Sequence, residues 1–183
     1  MLERTAHPNT RTMLEAWRRM DQTSGDALSH APMMGEPSAL IGNIFVLREA
    51  ADRSWLFRTA GDALHSYFGK NVCDEDFFDL WLGSDRSLAR SVTEAVSAEA
   101  SPGVIRARGE TLTGRILQVE IALAPLPHKP ATARRLLGHY QPLGGEKLIE
   151  KRPIWRHAIT EIHAPQRQAK PKRGHLHLVS SRD

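Results

Sequence analysis

The sequence predicts an α+β domain built on a five-stranded antiparallel sheet. Two short segments rich in β-branched and aromatic residues precede a helical stretch, and three more follow it. The segment 115–126 alternates Leu117, Val119 and Ile121 with Gln118 and Glu120, which is the period of a half-buried strand. Strands on both sides of a helical insert favour one sheet with short helices packed over one face.

The first predicted element is a helix from about residue 10 to residue 20, which flanks the sheet. Met13, Trp17 and Met20 recur at helical spacing and form one apolar stripe. We expect this N-terminal helix to cover the sheet or to provide the contact of a homodimer. Glycine and proline follow it, so residues 1–37 are assigned to this helix and a linker.

Residues 38–145 are predicted to form the domain itself. Strands are expected over 41–48, 54–60, 104–111, 115–126 and 134–143, with the first two joined as a hairpin. Asp62 begins a short helix that Gly69 ends, a second short helix starts near Asp74, and a longer one runs to about Ala100. The glycine pair at 144–145 marks the end of the domain.

Composition places the chain among folded proteins with one core. It has 183 residues, of which 40% are hydrophobic and 25% charged. Its one cysteine, Cys73, allows no internal disulfide and fits a reducing compartment. The N-terminus lacks the apolar run of a secretory signal, and no window approaches the length of a membrane span. We therefore expect a cytoplasmic protein.

The positive charge is concentrated in residues 146–183, which are assigned to a basic and partly disordered tail. Nine Lys/Arg against four Asp/Glu give this segment a charge of +5, whereas the other 145 residues carry −1. Three apolar residues of this segment, Ile154, Trp155 and Ile159, could form a short helix that docks on the domain or on a partner. The residues predicted to contact an anionic partner are Arg167, Lys170, Lys172 and Arg173. A nucleic-acid-associated regulator that uses this tail is the alternative function.

Three short runs resemble a bacterial family of stand-alone PAS proteins of about two hundred residues. They are FRTAGD at 57–62, YFGKN at 67–71 and FDLW at 78–81, followed by GR at 114–115 and RLLG at 135–138. The resemblance covers roughly residues 13–143. It implies a PAS-like fold and a non-enzymatic sensory or regulatory module in bacterial signalling. Such a module acts by ligand-dependent or constitutive contact with a protein partner.

The resemblance also implies a location for a ligand. In a PAS fold, the aromatic residues between the second strand and the second helix line the space between sheet and helices. An apolar pocket is one interpretation and a filled core is the other. The predicted pocket residues are Trp55, Phe57, His65, Phe68, Phe77, Phe78, Trp81, Leu88, Leu117, Val119 and Ile121. The ligand itself stays unknown, with haem on His65 and an apolar metabolite as the possibilities considered.

No pattern of catalytic or metal-binding residues stands out. The chain has no glycine-rich phosphate loop, no Gly-x-Ser-x-Gly turn and no His-Glu-x-x-His helix. The carboxylates from Asp74 to Asp76 fit the first turn of a helix, where its dipole favours negative charge. We expect neither an enzyme nor a metal site. A small isomerase remains the second alternative, although no carboxylate base is predicted among its inward-facing strand residues.

Overall fold

One antiparallel sheet of six strands organises the chain. The computed structural model describes residues 5–22, 37–128, 132–145, 149 and 152–166. The strands are β1 (Ile44–Glu49), β2 (Trp55–Ala60), β3 (Gly103–Thr111), β4 (Ile116–Leu126), β5 (Arg135–Pro142) and β6 (Ile154–His163). Their order across the sheet is β2-β1-β5-β4-β3-β6. The predicted α+β class, the antiparallel pairing and the β1–β2 hairpin are confirmed.

Five helical segments are described. They are α1 (Pro8–Gln22), α2 (Pro37–Gly42), α3 (Asp62–Phe68), a 3₁₀ helix (Phe77–Leu80) and α4 (Gly83–Glu99). Gly69 ends α3 with a left-handed backbone (φ 66°), as its sequence position predicts. Asp76 begins the 3₁₀ helix by accepting a hydrogen bond from the Phe78 amide. None of the described helices is long and apolar enough to cross a membrane.

The sixth strand corrects the prediction for the C-terminal region. Residues 154–163 pair with β3 from Val104 opposite His163 to Thr111 opposite Ile154, so they belong to the sheet and not to a tail or a short helix. The segment holds β-branched residues at Ile159, Thr160 and Ile162, which favour a pleated strand over a helix. The predicted disordered stretch beyond residue 166 lies outside the described residues.

The inner face of the sheet carries the main core, beneath α3, the 3₁₀ helix and α4. Phe45, Phe57 and Phe77 pack with ring centroids 5.3–6.1 Å apart at its centre. The Phe45 ring lies directly against the backbone of Gly138, its partner on β5. A Cβ at position 138 would come within 2.2 Å of that ring, so only glycine leaves room for it.

The outer face of the sheet is covered in part by α1. Met13 and Trp17 are buried against β3 and β4, and the Trp17 indole donates a hydrogen bond of 2.6 Å to the Pro125 carbonyl. Met20 packs, partly buried, beside them. The apolar stripe of α1 therefore covers the sheet within one chain. Met13 and Trp17 are buried within the chain and offer no exposed contact. The homodimer predicted through Met13, Trp17 and Met20 stays a prediction.

A buried ion pair fixes the N-terminal segment to the same face. The fully buried Glu120 carboxylate accepts from Arg106 Nε at 3.1 Å and from the His7 backbone amide at 2.9 Å. Arg106 also pairs with Glu161 of β6 at 2.9 Å and donates to the Thr5 carbonyl. The ion pair thus joins four segments of the chain: the N-terminal segment, β3, β4 and β6.

Candidate ligand-binding site

Nine of the predicted pocket residues are buried together in the main core. Each is at most 5% exposed, and they contact one another as in a filled interior. They are Trp55, Phe57, Phe68, Phe77, Phe78, Trp81, Leu117, Val119 and Ile121. Their rings meet edge-on or tilted, as Phe77 does against Phe78 at 5.7 Å and against Trp81 at 6.2 Å. Most of the predicted pocket is therefore occupied by side chains.

The other two predicted pocket residues lie elsewhere. Leu88 is 44% exposed, because α4 turns Ala89, Val92 and Val96 toward the sheet and leaves position 88 at the side. His65 is half-buried on α3, and its Nδ1 accepts a hydrogen bond of 3.3 Å from the Val72 amide. That bond holds the loop after α3, and His65 does not line the cavity described next. Among the described residues, His65 is therefore not placed as a haem ligand in that cavity.

A cavity of about 230 Å³ lies where α3, the 3₁₀ helix and the start of β6 meet. Its apolar walls come from these elements, from β2 and from the loop at residues 69–76: they are Phe57, Phe68, Val72, Leu80 and Ile154. Lys70, Glu75, Asp76, Asp79, Pro153 and Trp155 complete the lining. Two of the predicted pocket residues, Phe57 and Phe68, thus line an actual cavity, at the edge of the core and not at its centre.

The charged residues of this lining are mostly paired with one another or with a neighbour. Lys70 contacts Glu75 at 2.9 Å, and Arg86 contacts Asp79 at 2.8 Å and Asp76 at 3.6 Å. These exposed or half-exposed pairs are worth little stability. Lys70 and Arg86 together balance two of the three carboxylates, so these groups keep a net charge of −1, which disfavours an anionic ligand beside the apolar walls.

A buried histidine and tyrosine lie behind the cavity, and sequence reasoning missed both. Tyr140 of β5 and His157 of β6 are joined by a hydrogen bond of 2.8 Å between the phenol oxygen and Nε2. Nδ1 lies 3.3 Å from the Leu80 carbonyl, which can only accept. Nδ1 therefore carries a proton and donates to this carbonyl, and in the neutral imidazole Nε2 accepts from the tyrosine hydroxyl. Gly109 faces His157 from β3, and a Cβ there would lie 3.3 Å from Nε2.

Burial shifts the pKa of both groups in the direction that favours the neutral form. It lowers the pKa of His157 to about 4, and the hydrogen bond to the Leu80 carbonyl opposes this only in part. It also raises the pKa of Tyr140 well above its usual value. The pair is thus uncharged at neutral pH and joins β5, β6 and the 3₁₀ helix. His157 was hidden because the segment around it was assigned to a tail.

No group of three or more His, Cys, Asp or Glu side chains is placed to hold a metal ion within the described residues. The predicted anionic-partner residues Arg167, Lys170, Lys172 and Arg173 lie outside the described part of the chain.

The chain was compared with known proteins. A sequence model described as a PAS domain matches residues 6–141. Among solved structures, a LOV protein of Rhodobacter sphaeroides matches at 14% identity and a TM-score of 0.46, over 59% of this chain and 62% of that chain. The PAS domain of BvgS from Bordetella pertussis matches at 22% identity and a TM-score of 0.41, over 62% of this chain and 89% of that chain.

No curated protein matches the sequence. The chain spans 62% of the length of the LOV protein, so that protein has a portion without a counterpart here. The PAS match, in contrast, covers the sheet from α1 to the end of β5 and leaves β6 as an addition to the matched region. Because the family match extends over most of the chain, the protein belongs to the PAS domain family.

Proposed function

We propose that this chain is a non-enzymatic sensory module of bacterial signalling that binds a small apolar molecule and acts by contact with a partner protein. PAS domains are sensory and regulatory modules, and the family match supports that general role. The cavity at α3, the 3₁₀ helix and β6 is the observation that carries the finer proposal. It is the place among the described residues where an apolar ligand would touch several elements at once.

The size of the cavity limits the ligand. Drug-sized molecules occupy pockets of roughly 300–1,000 Å³, whereas an apolar cavity of about 150 Å³ already binds benzene. A cavity of about 230 Å³ therefore suits a molecule slightly larger than benzene. The walls offer Phe57, Phe68 and Ile154 as contacts, so the ligand is expected to be neutral and mainly apolar.

Binding would be transmitted by a shift between arrangements of the elements around the cavity. Phe68, Leu80 and Ile154 come from three different elements, and a ligand that touches all three favours the arrangement in which they are closest. Trp155 lines the same cavity and is 42% exposed. It connects the ligand to the surface, where a partner protein would detect occupancy.

A binding experiment on the full chain tests this proposal. Toluene and indole serve as probes, and binding is followed by the thermal midpoint and by amide chemical shifts. At ten times its dissociation constant, a ligand specific for the folded state stabilises by about 1.4 kcal/mol. We expect the largest shift changes at Phe68, Leu80 and Trp155.

Two matched leucine variants provide the control. Leu80→Phe places extra volume in the cavity and should weaken probe binding at least about tenfold. Leu82→Phe makes the same change two residues away, at a side chain that is 49% exposed and outside the cavity lining, and should bind as the parent does. Absence of probe binding to the parent chain, or equal binding by the Leu80→Phe protein, would overturn the proposal.

The isomerase alternative receives no support from the cavity lining. The carboxylates of that lining, Glu75, Asp76 and Asp79, are paired with Lys70 or Arg86. The buried pair of Tyr140 and His157 lies outside the lining. A general base must reach the proton that it abstracts. The nucleic-acid alternative depends on tail residues outside the described part of the chain, and it remains a prediction from charge.

A further inference from the structure

A second concavity lies on the opposite, outer face of the sheet. It has a volume of about 650 Å³ and is lined by Arg48, Arg58, Pro127, His128, Thr132, Ala133 and Arg135. The three arginines come from β1, β2 and β5, which are neighbours in the sheet. Each alternates with a core residue, since Leu47, Phe57 and Leu136 point to the inner face. We call this feature the arginine groove.

The positions of the arginines concentrate positive charge. Arg48 and Arg135 are direct partners across the β1–β5 ladder. Arg58 lies two residues after Leu56, the partner of Arg48 on β2. Like charges directly opposite each other destabilise a sheet. The pairing of Arg48 with Arg135 is therefore unfavourable unless a negative group lies between the two guanidinium groups.

The described residues do not supply that negative group. Elsewhere on the sheet, Arg106 reaches Glu120 and Arg156 reaches Glu110. In contrast, the side chains of Arg48 and Arg58 make no hydrogen bond or ion pair with any described residue, and Arg135 has only a long contact of 3.4 Å to the Pro127 carbonyl.

The carboxylate of Glu49, the residue after Arg48, is paired with another arginine. Both oxygens of Glu49 accept from Arg134, in a bidentate pair that lowers the pKa of this carboxyl below its usual value. Arg134 also donates to Ser97 of α4. Glu49 thus ties β1 to α4 and does not neutralise the groove.

We propose that the arginine groove binds a small molecule through its phosphate groups. Guanidinium groups bind phosphate oxygens through paired N–H donors, and three of them on adjacent strands provide six or more such donors. A volume of about 650 Å³ falls within the range of small-molecule sites. The site is separated from the apolar cavity by the sheet, so its ligand is distinct from the one proposed above.

Titration of the full chain with pyrophosphate and ATP tests this site. Amide chemical shifts should change at Arg48, Arg58 and Arg135, and the affinity should fall steeply between about 25 mM and about 300 mM salt. Citrate is titrated in parallel, because a carboxylate ligand would use the same donors. Binding of citrate at least about tenfold tighter than pyrophosphate would contradict the phosphate assignment.

Matched arginine pairs separate a specific site from general charge. Arg48→Ala with Arg58→Ala should weaken pyrophosphate binding at least about tenfold. Arg108→Ala with Arg115→Ala removes the same charge from exposed positions near the β3–β4 hairpin and should change binding less than about twofold.

Three further results would overturn the proposal. They are no shift changes with pyrophosphate up to about 5 mM, equal losses in both double variants, and groove-dependent binding of duplex DNA without binding of pyrophosphate or ATP. The last outcome would assign the groove to a nucleic acid backbone.

Discussion

Replacing Arg106 with alanine should lower the free energy of unfolding by about 3 kcal/mol. Of the hydrogen-bond donors that the described residues offer to the fully buried Glu120 carboxylate, the substitution leaves the His7 amide. Removing one partner of a buried ion pair costs roughly 3–5 kcal/mol, and the half-buried position of Arg106 places this case at the lower end. Urea unfolding of the parent and the variant measures the difference.

Two further variants show whether the cost arises from the buried charge. Glu120→Gln in the Arg106→Ala background should restore at least about half of the loss, because a neutral amide is cheaper to bury than a carboxylate. Arg108→Ala, two residues along β3 at an exposed position, should change stability by no more than about 0.5 kcal/mol. A cost below about 1 kcal/mol for Arg106→Ala, or no rescue by Glu120→Gln, contradicts this account.

Acidification from pH 7 to pH 4.5 should destabilise the fold through two buried histidines. His139 of β5 is fully buried, with Nδ1 3.4 Å from the Thr10 hydroxyl of α1. Burial lowers the pKa of His157 and of His139 to about 4, with the charge of His7 adding to the effect at His139. Both values lie below the usual value of 6.5, so the unfolded chain takes up protons first as the pH falls. The stability contribution of each neutral histidine is therefore full above pH 6.5 and is lost toward pH 4.

The expected loss is roughly 2–3 kcal/mol for each histidine between pH 7 and pH 4.5. Urea unfolding at both pH values measures it, and His139→Gln and His157→Gln should each remove about half of the pH dependence. Protonation of Glu49 affects stability only at lower pH, because its hydrogen bond with Arg134 holds the pKa of this carboxyl below its usual value. Equal stability at pH 7 and pH 4.5, or a pH dependence unchanged in both variants, would show that these side chains are not buried as described.

The PAS architecture was predictable from the sequence where an element has clear start and stop residues or strict alternation of apolar and polar residues. Helix α3 follows from Asp62 at its start and Gly69 after its end, and β4 follows from strict alternation around Val119. Strand β6 was missed because its apolar residues do not alternate regularly. Its pairing with β3 shifts register between Arg106 and Ala107, which breaks the period of two along Ile154–His163.

The candidate site was predictable only in part, because burial depends on which face each residue takes. The aromatic residues around Phe77 were identified, but close packing fills most of the space between them. The cavity requires Ile154 and Trp155 of β6, together with Pro153 just before it, and sequence reasoning did not expect that strand. The hydrogen bond between Tyr140 and His157 depends on the same strand.

Strand β6 is thus the feature on which the cavity and the buried His157 both depend. Hydrogen exchange of its backbone amides, measured by NMR on the full chain, tests it directly. We predict that the β6 amides that face β3 exchange at least on the order of a thousandfold more slowly than in an unstructured chain, and we expect the same protection for β4. Exchange of residues 154–163 at the rate of an unstructured chain, while β4 stays protected, would contradict the account.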